Sequence, residues 1–239
     1  MFESVKIAGV EPASMLERPG FISSIVFLQG CNFRCPFCHN PELISSKEKI
    51  TPFPYKEFLN ILNNKKHWVD SVIFTGGEPS LYPELPALIA KIKEMGFETG
   101  IHTNGTNPAM LKSLLKNNLI DYVALDVKNT PAKYLKTIGR KTQNLDPIFK
   151  SIELTLKAPQ NVDTIFRTTI VPGLIEPGDI RKIGQLIKGA KKASLQQFRP
   201  IKCFNQEYEK ITPYDSQTLN KMADILKNYV KEVEREFTV

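Results

Sequence analysis

Gln29-Gly-Cys-Asn-Phe-Arg-Cys-Pro-Phe-Cys-His-Asn-Pro41 sets Cys31, Cys35 and Cys38 in the spacing Cys-x3-Cys-x2-Cys. The one remaining cysteine, Cys203, is far along the chain. A closed zinc or iron–sulfur site takes four protein ligands. Three thiolates therefore point to a metal group with one position left open, where chemistry is done rather than a fold stapled.

With 239 residues and 41% hydrophobic composition, the chain can fill one sizeable core but not two enzymatic domains. One domain over residues 1–239 is expected, with 1–20 as an N-terminal extension and 213–237 as a C-terminal helix packed on the body. The formal net charge of +7 is spread over lysines on expected helix faces, as on a solvated surface. No basic run is interleaved with aromatics, so no nucleic-acid partner is expected. No apolar run approaches the roughly 20 residues of a membrane span, so no membrane association is expected either. Met1 to Ser14 mixes charges with glycine and proline and shows no signal-like stretch. Four cysteines do not make a disulfide scaffold, and clustered thiolates need a reducing compartment. Cytoplasmic localisation is the expectation.

Six apolar, β-branched runs read as strands: Ile22–Leu28, Val69–Thr75, Phe97–Thr103, Asp121–Val127, Asp163–Val171 and Ser194–Pro200. Several are apolar at nearly every residue, as strands covered on both faces are. Between them, Tyr55, Phe58, Leu59 and Leu62 fall at helical spacing, as do Leu145, Ile148, Phe149 and Ile152. Asn107-Pro108 and Thr212-Pro213 read as N-caps followed by proline at the first helical position. From Pro213 to Phe237 runs a stripe of Leu219, Met222, Leu226, Tyr229 and Val233. This alternation implies an α/β fold with parallel strands and right-handed crossovers. Six units are fewer than the eight of a closed barrel, and periodicity leaves a partial barrel and a doubly wound sheet equally open.

Because Phe37 stands just before the third cysteine, the motif resembles the signature of the radical S-adenosylmethionine (SAM) superfamily. Ser14-Met-Leu-Glu-Arg-Pro-Gly20 and the continuation His39-Asn40-Pro41 are similar to members that install glycyl radicals on partner enzymes. Glu17 stands where those members carry aspartate. The resemblance covers about the first 130 residues and continues more loosely to Arg199. It implies a partial (β/α)6 TIM-like barrel, a parallel sheet with outer helices, forming a single radical SAM domain with its cluster loop after the first strand. It also implies one [4Fe–4S] cluster on Cys31, Cys35 and Cys38, with SAM at the open iron. No acid–base or nucleophilic residue is expected, because the radical chemistry is borne by the cofactor. A flavodoxin- or ferredoxin-type reductant would supply the electron. The expected partner is a glycyl-radical enzyme, anaerobic ribonucleotide reductase through its large subunit, with pyruvate formate-lyase as the near alternative.

In parallel α/β folds the functional residues gather at the C-terminal ends of strands. Thr75-Gly-Gly-Glu-Pro79 follows the second expected strand, and glycines there let backbone approach a ligand closely. The resemblance gives Gly76, Gly77 and Glu78 the amino group of the methionine part. His102-Thr-Asn-Gly105 is by itself a turn signal; the resemblance brings Thr103 and Asn104 to the cofactor, along with Phe37. Asp126 and Lys128 share one strand face and are placed to pair; the resemblance puts both at the cofactor. Many relatives carry an acidic residue where His102 stands, which leaves a monovalent-cation site open. Arg167, within a β-branched strand, is expensive to bury without an anion. It reads either as a water-facing edge residue or as a contact of the cofactor's carboxylate or ribose inside the barrel. Val171-Pro-Gly173 resembles a loop contacting the adenosyl end, and Gln197–Ile201 an adenine wall. A fourth thiolate would close the open iron, so Cys203 reads as an ordinary thiol.

Three other readings remain. One is a radical SAM enzyme acting on a small molecule, such as a 7-carboxy-7-deazaguanine synthase-like protein; His39-Asn40-Pro41 argues against it. A non-enzymatic metal module using all four cysteines leaves Glu78 and Arg167 unexplained. A nucleic-acid binder would rest on charge alone.

Overall fold

A computed structural model describes residues 4–44 and 50–236. Its eight strands are β1 (Ile7–Ser14), β2 (Ser23–Leu28), β3 (Ser71–Gly76), β4 (Glu98–Thr103), β5 (Tyr122–Asp126), β6 (Asp163–Ile170), β7 (Lys192–Gln197) and β8 (Glu232–Glu236). They stand side by side in chain order in one sheet. The β1–β2 pair is antiparallel and every later neighbour pair is parallel. The helices are α1 (Pro41–Ile44), α2 (Tyr55–Lys65), α3 (Leu85–Glu94), α4 (Pro108–Lys116), α5 (Tyr134–Thr137), α6 (Asp146–Leu156), α7 (Asp179–Leu186) and α8 (Ser216–Leu226). The architecture is a partial TIM-like barrel. All six expected strands are present, β2 to β7, with boundaries shifted by up to three residues at β7.

Two strands go beyond the expectation. β1 carries Gly9 and Pro12, which weaken a strand signal and are tolerated because β1 is an edge. β8 corrects the expectation of a helix running through 213–237. The stripe of Leu219, Met222 and Leu226 is buried on α8, but that helix ends at Leu226. Glu232–Glu236 then pairs in parallel with β7. Phe237, like the first three residues of the extension, lies outside the described residues. The α8 N-cap is Asp215, whose carboxylate accepts from Thr218 N, and not Thr212. Asn107 does cap α4, accepting from Met110 N at 3.1 Å.

Period-two alternation sorts the strand side chains into two layers. Outward positions such as Val26, Phe74, Val123 and Phe166 join the large core shared with Phe58, Leu88, Leu114 and Ile148 of the helices. Inward positions form a small second core of Ile25, Ile73, Tyr122, Ala124 and Ile165, with Phe27 against it. Below this inner core, the β1–β2 loop folds under the sheet. Arg18 is only 3% exposed, and its guanidinium lies 3.6 Å from the ring centroid of Phe21. Its NH1 is 2.6 Å from Glu98 and its NH2 3.4 Å from Asp163, the first residues of β4 and β6. The loop thus seals the N-terminal end of the barrel, leaving chemistry to the opposite end.

Candidate functional site

The alternation that builds the inner core also delivers polar side chains to the top of the barrel. Two residues above Ala124 and Ile165 come Asp126 and Arg167, and these are register partners on β5 and β6. Arg167 is therefore an interior residue, not an edge one. One cavity of about 120 Å³ collects Cys31, Cys35, Cys38, Phe37, Gly76, Gly77, Glu78, Thr103, Asn104, Asp126, Lys128 and Arg167 in its walls. These are the twelve residues singled out in the sequence. Residues 171–173 and 197–201 are not among its walls. Residues 197–201 hold the cluster loop: His39 Nε2 donates to the Arg199 carbonyl, and its ring stacks on Phe198.

The three thiols are free. Burial pushes Cys31 up to about 11 and Cys35 up to about 12, and it raises Cys38 as well. Lys128 pulls each of them back in part. Thiolates here need further positive charge, which a metal group supplies. Among the described residues no three His, Cys, Asp or Glu side chains group to hold one metal ion. A four-iron cluster asks for a different arrangement, since each cysteine takes its own iron and the ligands surround a volume. Three cysteines on the wall of one cavity, with nothing closing the fourth corner, fit that requirement. Cys203 is buried at the same end, next to Phe204, whose N–H donates to the Cys38 carbonyl. It is not a wall of the cavity.

Glu78 is 1% exposed and ties two strand exits together. Its Oε1 accepts from Ser80 N, Ser80 Oγ and Thr103 Oγ1, and its Oε2 from Asn104 N at 2.7 Å. Burial raises its pKa while these donors pull against the rise. Three bonds crowd one oxygen; Oε2 keeps acceptor capacity for a ligand. Gly77 is there because nothing larger fits, since a Cβ would stand 2.0 Å from the Gly30 carbonyl oxygen. A web that joins the expected Asn104 to Asn32 and Thr106, neither of them expected, anchors the cluster loop: Asn104 donates to Asn32, Asn32 to Thr106, and Thr106 back to Asn104. Asn32 sits inside the cysteine motif, but only the fold reveals its partner.

Asp126 is the electrostatic centre. It accepts from Lys128 Nζ at 2.8 Å and Arg167 Nε at 3.0 Å. Burial works against its charge, yet Arg167 and Lys128 outweigh it and hold the carboxyl well below its ordinary 3.8. Burial likewise opposes the Lys128 ammonium, and Asp126 overrides it. His102 is held well below its ordinary 6.5 by burial and by Arg167, so it is neutral near pH 7. A depressed carboxyl contributes stability above the unfolded value, and that stability is lost as pH falls toward the folded one. Urea titrations of wild type and Asp126→Asn should therefore converge as pH drops below about 4. A stability gap that stays constant down to about pH 3 would contradict this account.

Beneath the cavity lies a larger polar chamber of about 370 Å³. The two share Asn40, Thr75, His102 and Arg167 as walls. Leu16, Glu17 and Pro19 of the β1–β2 loop line the chamber, with Tyr122, Gln196 and Glu234.

Residues 25–187 match the model of the Radical SAM superfamily. A protein of Methanocaldococcus jannaschii described as a glycyl-radical enzyme activating enzyme is 34% identical over 95% of this chain and 94% of its own. The pyruvate formate-lyase-activating enzyme of Clostridium pasteurianum is 30% identical over 95% of this chain and 98% of its own. Among solved structures, Streptococcus suis SuiB bound to S-adenosylmethionine superposes with a TM-score of 0.65 at 20% identity, covering 87% of this chain and 48% of that one. Among the described residues, no helix is long and apolar enough to cross a membrane.

Proposed function

The chain belongs to the radical SAM superfamily, in its glycyl-radical-activating group, and we propose that it installs a glycyl radical on anaerobic ribonucleotide reductase. The observation that carries this reading is the meeting of three thiols with Glu78, Asp126, Lys128 and Arg167 on one cavity at the strand ends. Cys31, Cys35 and Cys38 would hold a [4Fe–4S] cluster. When bound, the cluster and SAM supply a one-electron cleavage of the sulfonium and a carbon radical able to take a Cα hydrogen. The chain's own task is placement. Glu78 Oε2, with backbone of Gly76 and Gly77, binds the ammonium of the methionine part. Lys128 and Arg167 both pair with Asp126 and both line the cavity, where they receive the ligand's carboxylate. Phe37, Thr103 and Asn104 wall the site against water. The chamber of about 370 Å³ that shares His102 and Arg167 with the cavity gives a glycine-bearing segment room beside the site.

The electron would come from a flavodoxin- or ferredoxin-type carrier, and a reducing cytoplasm would keep the thiols available. The test is anaerobic EPR of reconstituted, reduced protein with SAM and the reductase large subunit. A glycyl doublet is expected. A doublet only with pyruvate formate-lyase would replace the partner, a choice that the similarity to the clostridial enzyme keeps in view. A cluster signal perturbed by SAM but no doublet with either protein would move the assignment to a small substrate. Absence of any cluster signal would overturn the reading.

A further inference from the structure

His102 lies on β4 as a wall of both the cavity and the chamber, is buried, and has a partner on each ring nitrogen. Nε2 is 3.2 Å from the Glu17 carbonyl oxygen, and Nδ1 is 3.0 Å from NH1 of Arg167. A carbonyl only accepts and a guanidinium only donates, so the tautomer is dictated: Nε2 carries the hydrogen and Nδ1 offers its lone pair. Arg167 in turn reaches Asp126 through Nε, and Asp126 reaches Lys128. The bonds run without a break from the loop that seals the barrel's bottom to the ammonium beside the cysteines.

We propose that His102 is a positioning residue, its two nitrogens bridging the Glu17 carbonyl to the Arg167 guanidinium and so setting the direction in which that charge faces the cofactor cavity. The proposal rests on the reading of Arg167 as a contact of the SAM carboxylate. A guanidinium recognises a carboxylate through a planar fork, so its orientation matters as much as its charge. Asp126 takes Nε and NH2 through one oxygen, Oδ1, each at 3.0 Å; His102 at NH1 adds an acceptor on the other side of the fork and so helps to fix its plane. Neutrality of the imidazole is part of the device, since a protonated ring would lose the acceptor and repel Arg167. The same ring ties Arg167 to Glu17, and Leu16, Glu17 and Pro19 line the chamber.

The two halves of the bridge separate experimentally. His102→Asn places an amide oxygen two bonds from Cβ, where Nδ1 stands, keeping the acceptor for Arg167 and losing the donor to Glu17. His102→Gln reaches the Nε2 position instead, keeping the donor and losing the acceptor. SAM binding to the reconstituted enzyme is measured by equilibrium dialysis, together with the change that SAM produces in the EPR signal of the reduced cluster. Loss of a hydrogen bond to a charged group should weaken SAM binding roughly 10- to 100-fold in His102→Gln and no more than about threefold in His102→Asn. In an Arg167→Lys background, which lacks the fork, the two should differ little. Equal weakening by both substitutions, no weakening by either, or a full difference persisting with lysine would each overturn the proposal. Failure of the wild type itself to bind SAM would overturn the reading of the cavity, and the proposal with it.

Discussion

Cys35→Ala should strip the protein of its iron and abolish glycyl-radical formation. Cys35 is 8% exposed, and burial with only partial relief from Lys128 pushes its thiol up to about 12. It ionises only by exchanging its proton for metal, so cluster assembly and thiol deprotonation are one event. With one of three ligands gone, a cluster that already lacks a fourth protein ligand is held at two corners. Iron bound after anaerobic reconstitution should fall to about a tenth of wild type or less, with loss of the visible iron–sulfur absorption. Cys203→Ala is the matched control. It removes a buried thiol from the same end of the barrel without touching the cavity wall, and should keep a full complement of iron. A fully loaded Cys35→Ala, or an iron-poor Cys203→Ala, would mean that the ligand set has been misread.

Gly77→Ala should cost nearly as much function, through backbone rather than metal. The added Cβ would lie 2.0 Å from the Gly30 carbonyl oxygen and 2.5 Å from its carbon. No rotamer change relieves a clash between a Cβ and backbone. Both strands are also pinned, because Gly77 N–H donates to Leu28 and Glu78 N–H to Gly30, each at 2.8 Å. Relief requires parting the β2 and β3 exits, which carry the first cysteine and Glu78. We expect a loss of about 3 kcal/mol or more in urea titration. SAM affinity should fall at least about tenfold, because the Glu78 carboxylate moves with its backbone. Gly9→Ala, where no atom lies within 4 Å of the added Cβ, should stay within about 0.5 kcal/mol of wild type. Gly77→Ala melting with the wild type would show that the two loops yield, and that glycine there serves something other than close approach.

The fold was readable where burial imposes a period. β2, β3 and β5 are buried at nearly every residue and announce themselves as apolar runs; α2 and α6 show their stripes. The two strands that escaped are the edges of the sheet. β1 carries the glycine and proline that only an edge tolerates. β8 is Glu232-Val-Glu-Arg-Glu236, four charges around one valine, and becomes a strand because β7 offers it an unpaired edge. Its local sequence prolongs the stripe of α8, so pairing overrode propensity.

The chemistry divides along the same line. Residue type and spacing singled out the three thiols; the family resemblance brought Gly76, Gly77, Glu78, Asp126 and Lys128 to the cofactor, and Arg167 stayed open between a water-facing edge and the interior until the sheet placed it inside. Thiolates, glycines at strand exits and buried charges are each costly without a use, and each is a local property of the chain. What those groups touch is a property of distant pairs. Glu78 is held by donors 2 to 26 residues away, His102 bridges partners 85 and 65 residues away, and Arg18 closes the barrel on β4 and β6. Hydrogen bonds act over about 3 Å and depend on angle, and no periodicity in a chain encodes which loops will meet at that distance. Residue order fixes which atoms are available for reaction. Their orientation comes from long-range contact, because only closure of the barrel brings the strand ends together.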